Sequence, residues 1–298
     1  MRPETDPPES LPESLGPYRV DAWLGRGAMG EVYRAHDPQG ERMVAIKRMV
    51  FEGRRRQRFR ERVRREVAAM AEVRHPAVVE VYDLFEDGRA QCLVMELVAG
   101  ISVDELLEHG PLDVDRVVEL LRQLAEGLEA VHAQGLVHRD LKSENVVVDT
   151  AGHAKLLDFG LALDLETSED DRLTTTGHLV GTVHAVAPES ITGLPIDHRV
   201  DLFALGVLGY QMLTGSPPFE GQTVLETLQK VLLQDPAPFE KALEVPRRLE
   251  KLLLQLLSKD PADRPADARA VLDGLARIAE PETGVVRKSG WWPWRGGK

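Results

Sequence analysis

The chain has 298 residues with 49 acidic against 37 basic side chains, a net charge of −12. The length excludes a peptide-sized scaffold held by disulfides, and the acidic balance argues against nucleic acid as the main partner. A single cysteine, Cys92, excludes an internal disulfide and a cysteine-built zinc site and fits a reducing, cytoplasmic setting. No apolar run reaches the length of a membrane span, and the opening MRPETDPPES lacks the apolar centre of a secretory signal.

Residues 1–16 carry four prolines and four acids, so they read as a disordered arm that buries too little apolar surface to order itself. Short β-rich runs follow at Val32–Ala35, Met43–Arg48, Val78–Leu84 and Cys92–Leu97, divided by turn residues such as Asp37-Pro38-Gln39-Gly40. One helical stretch interrupts them, with Phe59, Val63, Val67 and Met70 at helical spacing and arginines on its other faces. The pattern turns mostly helical after residue 100. Residues 113–134 start at Asp113, a plausible cap, and carry Val117, Leu120, Leu121, Leu124 and Leu128 on one stripe. Residues 200–213 are apolar nearly all round, as in a helix buried on every side. Strands followed by helices predict an α+β protein of two lobes, 17–98 and 99–279, with the boundary near Val98-Ala99-Gly100. The tail 280–298 is basic from Gly284 onward and holds three of the four tryptophans.

Six segments carry possible chemistry. In GRGAMGEV, Gly25, Gly27 and Gly30 would let backbone N–H groups approach a phosphate chain, although the spacing alone suits a glycine hairpin equally. Lys47 ends VAIK, where strand alternation places Ala45 and Lys47 on one face and Val44 and Ile46 on the other. Glu66 borders the apolar stripe of its helix and needs a partner there: either Lys47, or a neighbouring arginine in an exposed pair. HRDLKSEN, residues 138–145, supplies Asp140 as an acceptor of a hydroxyl proton and Lys142 to offset charge on a transferring phosphoryl group. Its Asn145 carries an amide oxygen for a metal. Asp158 opens Asp-Phe-Gly and suits magnesium. Ala187-Pro188-Glu189 precedes the buried helix, with Asp201, and later Asp263-Arg264-Pro265.

In this order and spacing the motifs resemble the eukaryotic-type protein kinase family, and the compact layout resembles its bacterial serine/threonine members. The resemblance covers residues 17–279. It implies a two-lobed fold with a small β-rich N-terminal lobe carrying one key helix, above a larger, mainly helical C-terminal lobe. It also implies transfer of the γ-phosphoryl of ATP, with Mg2+, to serine or threonine hydroxyls of proteins. The chain itself is among the expected substrates, modified between two copies in a homodimer. Residue by residue, it implies that Gly25, Gly27 and Gly30 cover the phosphates and that Lys47 holds them while paired with Glu66. Asp140 is then the base, and Asn145 and Asp158 hold the metal. Leu24, Val32, Ala45 and Val147 would enclose adenine, Glu96 and Val98 would offer it backbone groups, and Met95 would stand behind it. Val81, Met70, Phe159 and His138 would stack into an internal spine. Glu189 and Arg264 would staple the lower lobe, and Asp201 would cap the catalytic loop. Lys142, two residues after Asp140, and Thr182 favour serine or threonine over tyrosine as acceptor. A small-molecule phosphotransferase of related fold and a non-catalytic binding module are the competing readings.

Three positions depart from the family pattern. Val183 and Ala185 stand where relatives commonly have a proline and a tyrosine, and Ser143 replaces a frequent proline. Thr174, Thr175 and Thr176 lie where family phosphosites occur, and Arg139 before the base is the residue that usually needs a charge partner on that segment. Residues 54–65 hold eight arginines and one acid, while 164–171 hold five acids, so mutual attraction or separate solvation are both open. The tryptophans and basic residues of 284–298 allow contact with an anionic membrane surface, docking on the body, or disorder.

Overall fold

The computed structural model describes residues 10–27, 30–50, 56–158 and 185–279. A six-stranded antiparallel sheet forms the N-terminal lobe from β1 (Ser14–Leu15), β2 (Tyr18–Gly27), β3 (Gly30–Asp37), β4 (Arg42–Val50), β5 (Val81–Asp87) and β6 (Ala90–Glu96). Their spatial order is β1-β2-β3-β4-β6-β5. Helix α1 (Arg56–Met70) packs beneath it. The alternation read in VAIK is visible in the burial. Ala45 and Met49 join Val63, Val67, Met70, Leu93 and Met95 in the core under α1, while Val44 and Ile46 join Tyr18, Tyr33, Cys92 and Val94 on the opposite face.

The expectation of a disordered arm up to residue 16 is corrected at its end. Ser14 and Leu15 pair with Arg19 and Tyr18, and Leu15 is only 1% exposed. One leucine folded over the outer face is enough to anchor this stretch despite its prolines and acids. Val78 makes only an isolated bridge, to Leu156, so the third strand starts later than expected, at Val81.

The C-terminal lobe begins with β7 (Gly100–Ser102) and α2 (Val103–Leu107), followed by α3 (Val114–Ala133). The Asp113 carboxylate accepts from the Arg116 N–H at 2.9 Å and so caps α3 as its sequence foretold. A small sheet of β7, β8 (Val146–Asp149) and β9 (Ala154–Leu156) lies against α3. The remaining helices are α4 (Pro188–Thr192), α5 (Arg199–Thr214), α6 (Val224–Leu233), α7 (Arg247–Leu256) and α8 (Ala268–Ala279). Helix α5 is buried from Val200 to Tyr210 without a break and forms the centre about which α3 and α7 pack. Among the described residues, no helix is long and apolar enough to cross a membrane. The tail 280–298 lies outside them.

Candidate active site

The β2–β3 hairpin closes on the pair Gly27–Gly30. Gly30 has φ +148°, and a Cβ there would lie 2.1 Å from the Arg48 carbonyl oxygen, so its own fold demands glycine. A Cβ on Gly25 or Gly27 would meet nothing within 4 Å. The protein's packing therefore does not require those two glycines, and their bare backbone suits a ligand that must come close.

On β4, Lys47 is 7% exposed at its side chain and its Nζ lies 2.9 Å from Asp158 Oδ1. This corrects the expected Lys47–Glu66 pair. Glu66 instead accepts from Arg62 Nε at 2.8 Å, one helical turn earlier on α1. The physical reason is proximity: the i,i+4 partner sits on the same helix face, while the lysine has a carboxylate directly across from it. Arg139 is also close by. Burial and the neighbouring Arg62 charge pull its pKa below the ordinary value, while Glu66 and Asp201 act in the opposite sense.

The catalytic-loop segment is held from below. Asp201, 1% exposed near the start of α5, accepts from the N–H groups of His138 and Arg139 at 2.8 Å each and sits 2.8 Å from His132 Nε2. Arg139 and Asp158 have φ of +65° and +45°, conformations that non-glycine residues rarely adopt; the Arg139 N–H is fixed on Asp201, and Asp158 is ion-paired with Lys47. His138 is fully buried, with Nε2 2.8 Å from the Leu157 carbonyl. The Leu157 N–H donates in turn to the Asn145 carbonyl at 2.8 Å, which ties the segment bearing Asp158 to the one bearing Asn145.

Asn145 Nδ2 donates to the Asp140 carbonyl and to Asp140 Oδ2, both at 2.8 Å. With its nitrogen so engaged, the amide oxygen of Asn145 is the atom left for a metal. Lys142 Nζ lies 3.2 Å from Asp140 Oδ1. Among the described residues no group of three or more histidine, cysteine or carboxylate side chains could hold a metal alone. One carboxylate and one amide oxygen fit magnesium, which takes few protein ligands and completes its shell with phosphate oxygens and water.

Above this floor, Ala45 and Met95 are 5% and 6% exposed, and Val32 and Val98 pack partly buried against the same core. Val147 lies on β8 opposite Ser102 and Lys155. Leu24 is 47% exposed, at the outer edge of the group. The Glu96 N–H is taken by the Glu80 carbonyl at 2.8 Å, so its backbone can offer adenine only the carbonyl. Of the expected spine, Val81, Met70 and His138 are buried, while Phe159 lies outside the described residues. So do Thr174, Thr175, Thr176, Thr182 and the acidic run 164–171. Arg60 and Arg64 each make an ion pair with Glu86.

Three contacts escaped the sequence: Ser143 Oγ to Asp104 Oδ1 at 3.0 Å, Lys155 Nζ to Glu96 Oε2 at 2.7 Å, and the His132–Asp201 contact. Their partners are 39, 59 and 69 positions apart, and no local pattern announces them.

The family model described as protein kinase domain matches residues 18–274. Serine/threonine-protein kinase pkn2 of Myxococcus xanthus is 39% identical over 89% of this chain and 33% of its own. Serine/threonine-protein kinase PknD of Mycobacterium tuberculosis is 38% identical over 84% of this chain and 38% of its own. PknL of the same organism is 38% identical over 88% of this chain and 66% of its own. The chain thus spans about a third to two thirds of the length of these relatives. The match runs from the first long strand of the upper lobe into the last helix of the lower one, and the chain belongs to the protein kinase family.

Proposed function

We propose that this chain transfers the γ-phosphoryl of ATP to serine or threonine hydroxyls of proteins, itself included. The observation that carries the reading is a pair of contacts, Asn145–Asp140 at 2.8 Å and Lys47–Asp158 at 2.9 Å, on segments joined by the Leu157 N–H bond to the Asn145 carbonyl. The acceptor oxygen attacks the γ-phosphorus, its proton passes to the Asp140 carboxylate, and the bond from that phosphorus to the bridging oxygen breaks to leave ADP. Lys142, beside Asp140, offsets negative charge on the group in transit. Lys47, nearly enclosed, presents its ammonium to the phosphate oxygens. Asn145 and Asp158 would hold Mg2+, which when bound neutralises phosphate charge. Phosphoryl transfer needs positioning and electrostatics more than covalent help, so these groups suffice. Leu24, Val32, Ala45, Met95, Val98 and Val147 form the apolar enclosure proposed for adenine.

Lys142 and the names of the relatives support serine or threonine as acceptor. The proposal includes a cytoplasmic setting, supported by the single buried thiol of Cys92, and transfer between two copies of the chain onto Thr174, Thr175 or Thr176. Incubation of the purified protein with ATP and magnesium, followed by mass-spectrometric mapping, tests it. Phosphate should appear on serine or threonine, and Asp140→Asn should lower the rate by about 10²–10⁴-fold, as loss of a general base does. Label on small alcohols only, or an Asp140→Asn protein as active as wild type, would contradict it.

A further inference from the structure

Among the described residues where the β2–β3 hairpin closes, 25–27 and 30–31, only Arg26 and Glu31 are not glycine. They lie opposite each other in the register, and Arg26 Nη2 donates to Glu31 Oε1 at 2.8 Å. The other carboxylate oxygen, Oε2, accepts from the Tyr33 hydroxyl at 2.8 Å and lies 3.7 Å from Arg48 Nη1. One carboxylate on β3 thus joins β2 on one side to β4 on the other. Tyr33 is buried in the core of the outer face of the sheet, which anchors its end of the bond.

Both groups keep the form these bonds need at neutral pH. The Arg26 hydrogen bond, with that of Tyr33 and the charges of Arg26 and Arg48, holds the Glu31 carboxyl below its ordinary value against the opposing effect of burial. Burial and Glu31 push the Tyr33 phenol up to about 12, so it remains a donor.

The tether stands where the backbone is least constrained. The register of β2 against β3 slips between Trp23 and Gly25, which interrupts the ladder just before the hairpin. Gly25 and Gly27 add conformational freedom and no packing of their own. On β4, Arg48 follows Lys47, and Lys47 is the register partner of Val32, next to Glu31. A restraint from Glu31 to Arg26 and Arg48 therefore couples the hairpin to the strand that presents Lys47.

We propose that Glu31 is a positioning residue for the phosphates: through Arg26, Tyr33 and Arg48 it holds the glycine hairpin at a set height over them, in step with Lys47. The proposal rests on the kinase reading, in which Gly25, Gly27 and Gly30 cover the phosphates, and adds what fixes that cover.

Charge alone would have the opposite effect. A carboxylate acting only through its field repels phosphate, so its loss would tighten binding, whereas loss of a tether weakens it. The test measures by calorimetry the Kd of the whole chain, with magnesium, for a non-hydrolysable imido analogue of ATP and for adenosine, which has no phosphate. In Glu31→Ala the analogue should bind about tenfold more weakly, the scale of a hydrogen bond between charged groups, while adenosine stays within about twofold. Glu31→Gln, which can keep one bond, should fall between, and Tyr33→Phe, which loses only a hydroxyl, should weaken the analogue about threefold. The Arg26→Ala, Glu31→Ala double variant should bind no more weakly than the worse single one, because both changes remove the same contact. Hydrogen exchange should quicken over 24–27 and 30–33 in Glu31→Ala and stay unchanged in β5 and β6, which separates a loosened hairpin from a failing fold. Unchanged or tighter analogue binding in Glu31→Ala, a loss shared equally by adenosine, or single losses that multiply would overturn the tether and leave the kinase reading standing. A wild-type chain that binds the analogue no better than adenosine and transfers no phosphate would overturn both.

Discussion

Arg264 is 3% exposed, yet each of its five N–H donors has an acceptor. Glu189 takes two, at 2.6 and 2.8 Å, and the carbonyls of Ser258, Arg199 and Lys259 take the rest. Removing one partner of such a pair leaves an uncompensated buried charge, so Arg264→Ala should cost about 3–5 kcal/mol in urea unfolding. Arg264→Lys should fail as well, because an ammonium cannot reproduce the planar two-pronged contact. A loss below about 1 kcal/mol, the range of an exposed pair, would show that the staple is not structural. Cys92 makes a second case at this scale. It is fully buried in the outer face of the upper sheet, and burial pushes its thiol up to about 12. The thiolate is the reactive form, so at pH 8 iodoacetamide should leave the folded protein unlabelled and modify it rapidly in urea. Labelling of folded protein at the rate of an open thiol would contradict that burial.

Among the elements, α5 shows what an all-round apolar run achieves. Its glycines let neighbours come close: a Cβ on Gly206 would lie 2.7 Å from the Leu256 Cβ of α7. Valine gains a few tenths of a kcal/mol over glycine in helix propensity, but overpacking a tight crossing costs about 1–3 kcal/mol. Gly206→Val should therefore lower the urea midpoint, and an unchanged midpoint would mean that the crossing has slack. The α5 helix, the α3 cap and the two faces of β4 were legible because each is written in local periodicity or one capping residue. Strand β1 was not, because a single buried leucine stands among prolines and acids whose composition dominates the segment. The choice of Glu66 between Lys47 and Arg62 was equally closed to the sequence. Both partners satisfy its charge, and only the placement of α1 against the sheet decides. The motif residues around Asp140 were legible by spacing, whereas the Ser143–Asp104 link depends on how α2 sits beside the loop.

For the whole molecule, the two lobes matter through what they bring together. The sheet supplies Lys47 and the glycine hairpin, and the helical lobe supplies Asp140 and Asn145. Lys155 of β9 reaches Glu96 at the end of β6 and ties the lobes near their connection. Ligand that binds only the folded chain raises its stability by about 2.7 kcal/mol at a hundredfold excess over Kd. The most direct measurement is the Tm rise with ATP and magnesium, read beside phosphate transfer, in wild type, Lys47→Met, Asp140→Asn and Asp158→Asn. Wild type should gain both. Lys47→Met and Asp158→Asn should lose most of the Tm rise and the transfer, whereas Asp140→Asn should keep the Tm rise and lose the transfer. A Tm rise that ignores Lys47 and Asp158, or transfer that ignores Asp140, would contradict a single cleft built from these side chains.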